Sequence, residues 1–163
     1  MEALLGASLG EVVVVLGSDA DAVGGALTGL PVRLVTNPDY AAGMSTSVRT
    51  GVEALTAAAD AAVIALGDQP GAGAAVVERL VARYRAGGAA IVAPVYRGGV
   101  RGNPVLFDRS VFDELRAITG DEGARSVIAR VPGRVALVEL DVETPADVDT
   151  RADLGACGFP LTP

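Results

Sequence analysis

The chain has 163 residues, of which 50% are apolar, so one domain over residues 1–163 with a sizeable buried core is expected. No apolar run reaches the ~18 residues that span a bilayer, and residues 1–5 lack the features of a secretory signal. We therefore expect a cytoplasmic protein without a membrane partner. A net charge of −7 argues against nucleic acid as a partner, and the absence of histidine excludes Ser-His-Asp triads and histidine zinc sites.

Short apolar runs alternate with helical patterns along the chain. In chain order, the runs at 12–16, 32–35, 61–66, 89–95 and 135–140 predict strands, and their near-continuous hydrophobicity is typical of strands covered on both faces. Apolar residues recur at helical spacing over 76–84 and 111–118, and a further helix is predicted at about 47–58. Repeated β-α connection predicts an α/β fold with a mostly parallel sheet.

The segments that follow the predicted strands carry the unusual residues of the chain. In open α/β sheets, ligands bind outside the carboxyl ends of the strands, so these segments are the place to look for a site. They read Val-Val-Leu-Gly-Ser-Asp at 14–19, Gly-Met-Ser-Thr-Ser at 43–47, Leu-Gly-Asp-Gln-Pro at 66–70, Arg-Gly-Asn-Pro-Val-Leu-Phe at 101–107 and Asp-Val-Asp-Thr at 147–150.

In that order and spacing, these segments closely resemble the molybdenum cofactor cytidylyltransferases, within the wider family of molybdopterin nucleotidyltransferases, from about residue 4 to residue 154. The resemblance implies a Rossmann-like three-layer α/β/α fold of the nucleotide-diphospho-sugar-transferase kind. It also implies Mg²⁺-dependent transfer of CMP from CTP to Mo-molybdopterin, with release of pyrophosphate, for delivery to a molybdenum hydroxylase. A chain without histidine or lysine fits such a transfer, because positioning and charge neutralisation dominate the chemistry.

Two aspartates are the candidate catalytic and metal-binding residues. Asp68 directly follows the 61–66 run, where a carboxylate can hold Mg²⁺ against a triphosphate, and the resemblance implies that it is the family's metal-binding aspartate. The resemblance assigns the second metal ligand to Asp149 rather than to Asp147, two residues before it. The alternative is that both only cap helices, Asp68 the helix that begins near Gly73 and Asp149 the last helix.

The resemblance implies substrate contacts in three further segments. These contacts come from Gly43, Met44, Ser45, Thr46 and Ser47, from Gln69, and from Arg101, Gly102, Asn103 and Pro104. Small hydroxyl residues before a helix let backbone N–H groups meet an anion, and an arginine beside glycine can bind a phosphate or a pterin through its planar fork. The alternatives are a well-capped helix start and a surface hairpin. Family members more often carry histidine at position 103, and Arg49 and Arg125 are secondary candidates for anionic groups.

The beginning of the sequence departs from the family. Members begin with a strand and a glycine-rich loop followed by a lysine, which hold the triphosphate, and residues 1–5 do not match that segment. We therefore expect an N-terminally truncated fold that lacks its first β-loop-α unit, with unpaired ladder groups on neighbouring strands and weak CTP binding. Two alternatives to the cytidylyltransferase stay open: a non-catalytic molybdopterin-binding or chaperone module, and a guanylyl-transferring relative.

Overall fold

The computed structural model describes residues 2–150 and residue 153, with side chains from residue 4 onward. The helices are α1 (Glu2–Leu5), α2 (Ala20–Ala26), α3 (Met44–Ala54), α4 (Ala74–Arg85), α5 (Phe112–Arg116) and α6 (Arg125–Arg130). The strands are β1 (Val13–Leu16), β2 (Arg33–Thr36), β3 (Ala61–Ile64), β4 (Ile91–Tyr96), β5 (Val100–Arg101), β6 (Val105–Asp108) and β7 (Val135–Glu139). None of the helices in this described part of the chain is long and apolar enough to cross a membrane.

The chain divides into two compact units, and each is built from separate stretches of sequence. Unit 1 comprises Met1–Ser8, Val63–Leu106 and Ala136–Pro163, and unit 2 comprises Leu9–Ala62 and Phe107–Val135. Because both units interleave along the sequence, neither corresponds to a continuous half of the chain. The expectation of one domain over residues 1–163 remains a prediction.

The core of unit 1 forms where α4 packs against β4. Val77 and Leu80 of the helix and Ile91 and Val92 of the strand are fully buried. Complete burial of a side chain the size of Leu80 contributes about 1.5–3 kcal/mol. Strand β4 belongs to a five-stranded sheet in the order β3-β6-β4-β5, and β7 also pairs with β4. Such a strand has no solvent-facing side, which explains its unbroken apolar sequence.

Strands β4 and β5 form an antiparallel pair. Val95 lies opposite Arg101 and Tyr96 lies opposite Val100. Only residues 97–99 connect the two strands. A parallel pair would need a crossover of a dozen or more residues, so this short connection permits only an antiparallel pair. Gly98 and Gly99 adopt φ angles of 77° and 80°, in the left-handed region that glycine enters without strain.

Unit 2 contains a two-stranded parallel sheet of β1 and β2, with Val13 opposite Arg33 and Leu16 opposite Thr36. Helix α3 packs against β1 and against α5. Gly51 lets α3 lie close to the strand, since a Cβ at this position would come 3.2 Å from Val15 Cγ2. Leu115 of α5 and Ile118 after it are also fully buried in this unit.

The predicted strands are confirmed, with ends that differ by at most two residues from those described. The helix predicted at 47–58 is wrong at both ends. It begins at Met44, because the backbone turns sharply at Gly43, and it ends at Ala54, because Leu55 is extended. The α/β class is confirmed, but the strands form two sheets and one pair is antiparallel, so a single mostly parallel sheet is not described.

Candidate functional site

In unit 1, residues 140–149 form a segment without helix or strand, here called the strap, that follows β7. Its first hydrogen bonds attach it to the end of β4. The Leu140 N–H donates to the Val95 carbonyl oxygen at 2.8 Å, and the Arg97 N–H donates to the Val142 carbonyl oxygen at 3.0 Å. These backbone bonds fix the direction in which the strap leaves the sheet.

The Arg97 side chain holds the same part of the strap. Its guanidinium lies 3.0 Å from an Asp141 carboxylate oxygen and 2.6 Å from a Glu143 carboxylate oxygen. The carboxylates of Asp141 and then Glu143 hold the pKa of Arg97 above its ordinary value. These groups are exposed, so the ion pairs contribute more to geometry than to stability.

An open cavity of about 460 Å³ lies beside the start of the strap. Arg79 and Arg97 line it, but both already have acceptors: the Arg79 Nη2 donates to the Glu139 carbonyl oxygen at 2.9 Å. None of the residues that the sequence predicts for the site lines this cavity. It is therefore not the predicted site.

Farther along, the strap passes the predicted Arg101–Pro104 segment. Gly102 is packed so closely that a Cβ would lie 2.9 Å from Tyr96 Cε2 and 3.8 Å from Thr144 Cγ2. Tyr96 is buried, its hydroxyl donates to the Asn103 carbonyl oxygen, and burial raises its pKa. The loop is thus held from below by Tyr96, while the Arg101 side chain is exposed.

The strap then reaches the segment that follows β3. A Cβ on Gly71 would lie 3.4 Å from Pro145 Cβ, and the Val148 N–H donates to the Asp68 carbonyl oxygen at 2.8 Å. Asp149 directly follows Val148, so the structure brings the two predicted metal-binding residues into neighbouring backbone positions. Both aspartates are exposed.

The capping alternative for Asp68 does not describe the structure. Helix α4 has Gly73 at its N-cap and no side-chain cap, so Asp68 does not cap it. At the other position, the Thr150 N–H donates to Asp153 Oδ2 at 2.7 Å and the Asp153 N–H donates to Thr150 Oγ1 at 3.4 Å. The rest of the predicted last helix, and with it the capping alternative for Asp149, lies outside the described residues.

The donors in this part of unit 1 suit a hard cation. Within residues 2–150, no group of three or more His, Cys, Asp or Glu side chains is arranged to hold a metal ion by itself. Mg²⁺ does not require such a group, since it is usually bound by one or two carboxylates together with the phosphates of a substrate. Asp68 and Asp149 could provide those carboxylates.

The predicted segment 43–47 belongs to unit 2, and much of it is engaged in internal contacts. Ser45 is 1% exposed, and its N–H donates to the Gly120 carbonyl oxygen at 3.1 Å. The Thr46 hydroxyl donates to the Gly43 carbonyl oxygen at 2.9 Å and accepts from Asn37. By contrast, the Met44 side chain is 50% exposed, so it is the member of this segment most open to a ligand.

Asn37 organises this segment, and the sequence did not predict that role. It is 1% exposed, and its Nδ2 donates to Thr46 Oγ1 at 2.8 Å and to Ser47 Oγ at 3.0 Å. Its Oδ1 accepts from the Asp39 N–H at 3.0 Å. An asparagine directly after a predicted strand and before a proline was the available signal.

The secondary candidates divide. Arg49 donates to the carbonyl oxygens of Arg116 and Ile118 at 3.2 and 3.3 Å, so it serves the C-terminal end of α5. Arg125 is exposed at the start of α6. Arg97, which binds the strap through Asp141 and Glu143, was not among the predicted residues.

Comparison with known proteins assigns the chain to a family. Residues 1–135 match the model of the MobA-like NTP transferase domain. The chain is 34% identical to nicotine blue oxidoreductase of Paenarthrobacter nicotinovorans, over 91% of this chain and 76% of that protein. Among solved structures, an Rv0371c homologue from Mycobacterium sp. strain JC1 is 30% identical, with a TM-score of 0.83 over 96% of this chain and 77% of that chain.

Rv0371c of Mycobacterium tuberculosis H37Rv, solved in complex with manganese, is 28% identical, with a TM-score of 0.81 over 95% of this chain and 83% of that chain. These likenesses extend over nearly all of the chain and agree with the motifs that the sequence presents. The chain belongs to the MobA-like NTP transferase family and is a nucleotidyltransferase by descent.

Proposed function

We propose that the protein transfers CMP from CTP to the terminal phosphate of Mo-molybdopterin and releases pyrophosphate. The observation that carries this proposal is the hydrogen bond from the Val148 N–H to the Asp68 carbonyl oxygen, because it joins the two segments whose carboxylates would hold the metal ion. The motif resemblance and the family membership support the same reaction class. The proposed product would be delivered to a molybdenum hydroxylase.

The reaction needs no nucleophile from the protein. A phosphate oxygen of molybdopterin attacks the α-phosphorus of CTP, the bond from that phosphorus to the bridging oxygen breaks, and the electron pair leaves with pyrophosphate. Bound Mg²⁺ would neutralise charge on the phosphates. The exposed guanidinium of Arg101, on a loop fixed by Tyr96, is suited to hold a phosphate through its planar fork.

A divalent cation is supported by the relative that was solved with manganese. Mn²⁺ and Mg²⁺ both suit carboxylate, carbonyl and water oxygens. In this chain the proposed ligands are Asp68 and Asp149, whose carboxylates are exposed. We assign the cation to these residues as Mg²⁺.

The segment 43–47 of unit 2 contributes the start of a helix to the proposal. Helix α3 has 11 residues and begins at Met44, and its N-terminal end favours anionic groups. Ser45 is buried, Thr46 donates to Gly43 and Ser47 accepts from Asn37, so the proposed substrate contacts fall to the exposed Met44 side chain and to the hydrogen that the Ser47 hydroxyl can still donate. Gly43 shapes the turn.

The experiment is a transfer assay with purified protein, Mo-molybdopterin, Mg²⁺ and either CTP or GTP. The expected result is release of pyrophosphate with CTP and formation of the cytosine dinucleotide, and loss of both in Asp68→Asn. Product formation with GTP would instead identify the guanylyl-transferring alternative. Binding of molybdopterin with no product from either nucleotide would identify the non-catalytic module.

A second candidate is an oxidoreductase reaction on a heteroaromatic compound. It is favoured by the 34% identity to a protein named nicotine blue oxidoreductase. Such a reaction needs a hydride donor, so NADH or NADPH is supplied together with nicotine blue and its absorbance is followed. Protein-dependent bleaching of the dye with oxidation of the nicotinamide, and no pyrophosphate release in the first assay, would replace the transferase proposal.

A further inference from the structure

Gln69, directly after Asp68, connects the candidate metal site to the strap. Its Nε2 donates to Asp147 Oδ1 at 2.7 Å, across 78 positions of sequence. Asp147 stands two residues before Asp149. The side-chain bond therefore acts on the same part of the strap as the backbone bond between Val148 and Asp68.

The orientation of the Gln69 carboxamide follows from its partner. An ionised carboxylate only accepts hydrogen bonds, so the NH₂ group must face Asp147. The Gln69 Oε1 is then left buried, with no donor among the described residues. A buried acceptor without a donor is costly, so burial of this side chain does not account for glutamine at the position.

We propose that Gln69 is a positioning residue of the candidate metal site. Its NH₂ group donates a hydrogen bond to Asp147 and so holds the strap in the register that brings Asp149 to the cation beside Asp68. This inference rests on the proposed function, because it concerns the same cation. Groups that orient metal ligands without touching the metal are a recurrent requirement of such sites.

The test is Mn²⁺ binding, followed by the loss of the electron paramagnetic resonance signal of free Mn²⁺, together with thermal unfolding. The substitution Gln69→Met removes both the hydrogen bond to Asp147 and the unpaired Oε1 acceptor, while the volume of the side chain is nearly kept. We expect Mn²⁺ to bind about 10- to 100-fold more weakly. The unfolding midpoint should not fall, because no buried acceptor remains unpaired.

Two further variants separate positioning from direct ligation. The substitution Gln69→Glu removes the hydrogen bond to Asp147 and places two carboxylates together. Adding Asp147→Asn restores a hydrogen bond between the two side chains, with donor and acceptor exchanged. The double variant should regain most of the Mn²⁺ affinity that Gln69→Glu loses. Glu139→Gln, which changes an exposed carboxylate of β7 in the same unit, is the matched control and should bind Mn²⁺ like the wild type.

The failures of this inference and of the proposed function are distinguishable. Wild-type affinity in Gln69→Met, with binding that still depends on Asp68, would overturn the positioning role alone. No recovery in the double variant, with equal losses in Asp147→Asn and Asp68→Asn, would make Asp147 a ligand and also overturn it. Absence of saturable Mn²⁺ binding by the wild type would remove the metal site itself, and both proposals with it.

Discussion

Gly43 shows how one residue determines the approach of two loops within unit 2. Its φ angle is 112°, and a Cβ at this position would lie 2.3 Å from the Gly120 carbonyl oxygen and 2.9 Å from Asp121 Oδ1. Both the backbone conformation and the available space therefore require glycine. The Ser45 N–H, two residues on, bonds to the same carbonyl oxygen.

Gly43→Ala should destabilise the protein by at least about 1–3 kcal/mol, the usual cost of a strained backbone conformation, and the steric clash adds to it. The measurement is urea unfolding. The control is Gly25→Ala in α2, where a Cβ meets nothing within 4 Å. That substitution should stabilise by up to about 1 kcal/mol, since alanine favours helix. Equal losses in both variants would show that the Gly43 contact is not what matters.

Glu11 joins the start of β1 to two neighbours in unit 2. Its Oε1 accepts from the Thr56 N–H at 2.8 Å and its Oε2 accepts from Arg33 Nη2 at 2.8 Å. The Thr56 N–H, and then the Arg33 guanidinium, hold the pKa of Glu11 below its ordinary value of 4.5. Between the folded pKa of Glu11 and 4.5, the unfolded chain therefore binds more protons than the folded one, so the free energy of unfolding rises with pH.

The stabilisation from Glu11 should be fully present above its ordinary pKa of 4.5 and should disappear as pH falls through the lower folded pKa. The free energies of unfolding of the wild type and of Glu11→Gln are therefore compared from neutral to acid pH. Their difference should be largest near neutral pH and should disappear in acid. Glu53→Gln, at an exposed position on α3, is the control variant. A constant difference for Glu11→Gln would contradict the assignment.

At the scale of elements, the start of α3 depends on a side chain from outside the helix. Helix α3 has no side-chain cap of its own, and Asn37 instead binds the hydroxyls of its first turn. Asn37→Ala should cost about 1–3 kcal/mol, because it leaves buried polar groups without partners. Urea unfolding measures the loss. Asp39→Ala keeps the backbone N–H that Asn37 accepts from, so it should stay within about 0.5 kcal/mol of the wild type. A comparable loss in both would point to the turn rather than to Asn37.

Strands were predictable because their signal is a run of apolar residues, whereas the missed features depend on backbone turns that such a pattern does not show. The apolar run of β4 reports its burial directly. The limits of α3 depend on Gly43 and on the extended Leu55, which a helical pattern does not show. The two-residue strand β5 is too short for any periodicity and is formed by its turn.

At the largest scale, the sequence predicts which residues form the candidate site but not what holds them in place. Asp68 and Asp149 could be proposed from their motifs. Their proximity, however, depends on the hydrogen bond from Val148 to Asp68 and on the hydrogen bond from Gln69 to Asp147. The sequence of the strap has no periodic pattern of apolar residues from which it could be predicted. Its course is set by the ion pairs of Arg97 with Asp141 and Glu143 and by the hydrogen bond from Val148 to Asp68, all of which are tertiary contacts.

The shared cation is tested most directly by calorimetric titration of Mn²⁺ into the wild type, Asp68→Asn, Asp149→Asn and the double variant, with the exposed Asp113→Asn of α5 as control. We expect a single saturable site in the wild type and the control. We expect loss of that site in each single variant, with no further loss in the double variant, because the two carboxylates serve one ion. Undiminished Mn²⁺ binding by Asp149→Asn would contradict a shared cation at the junction of the strap and the Asp68 segment.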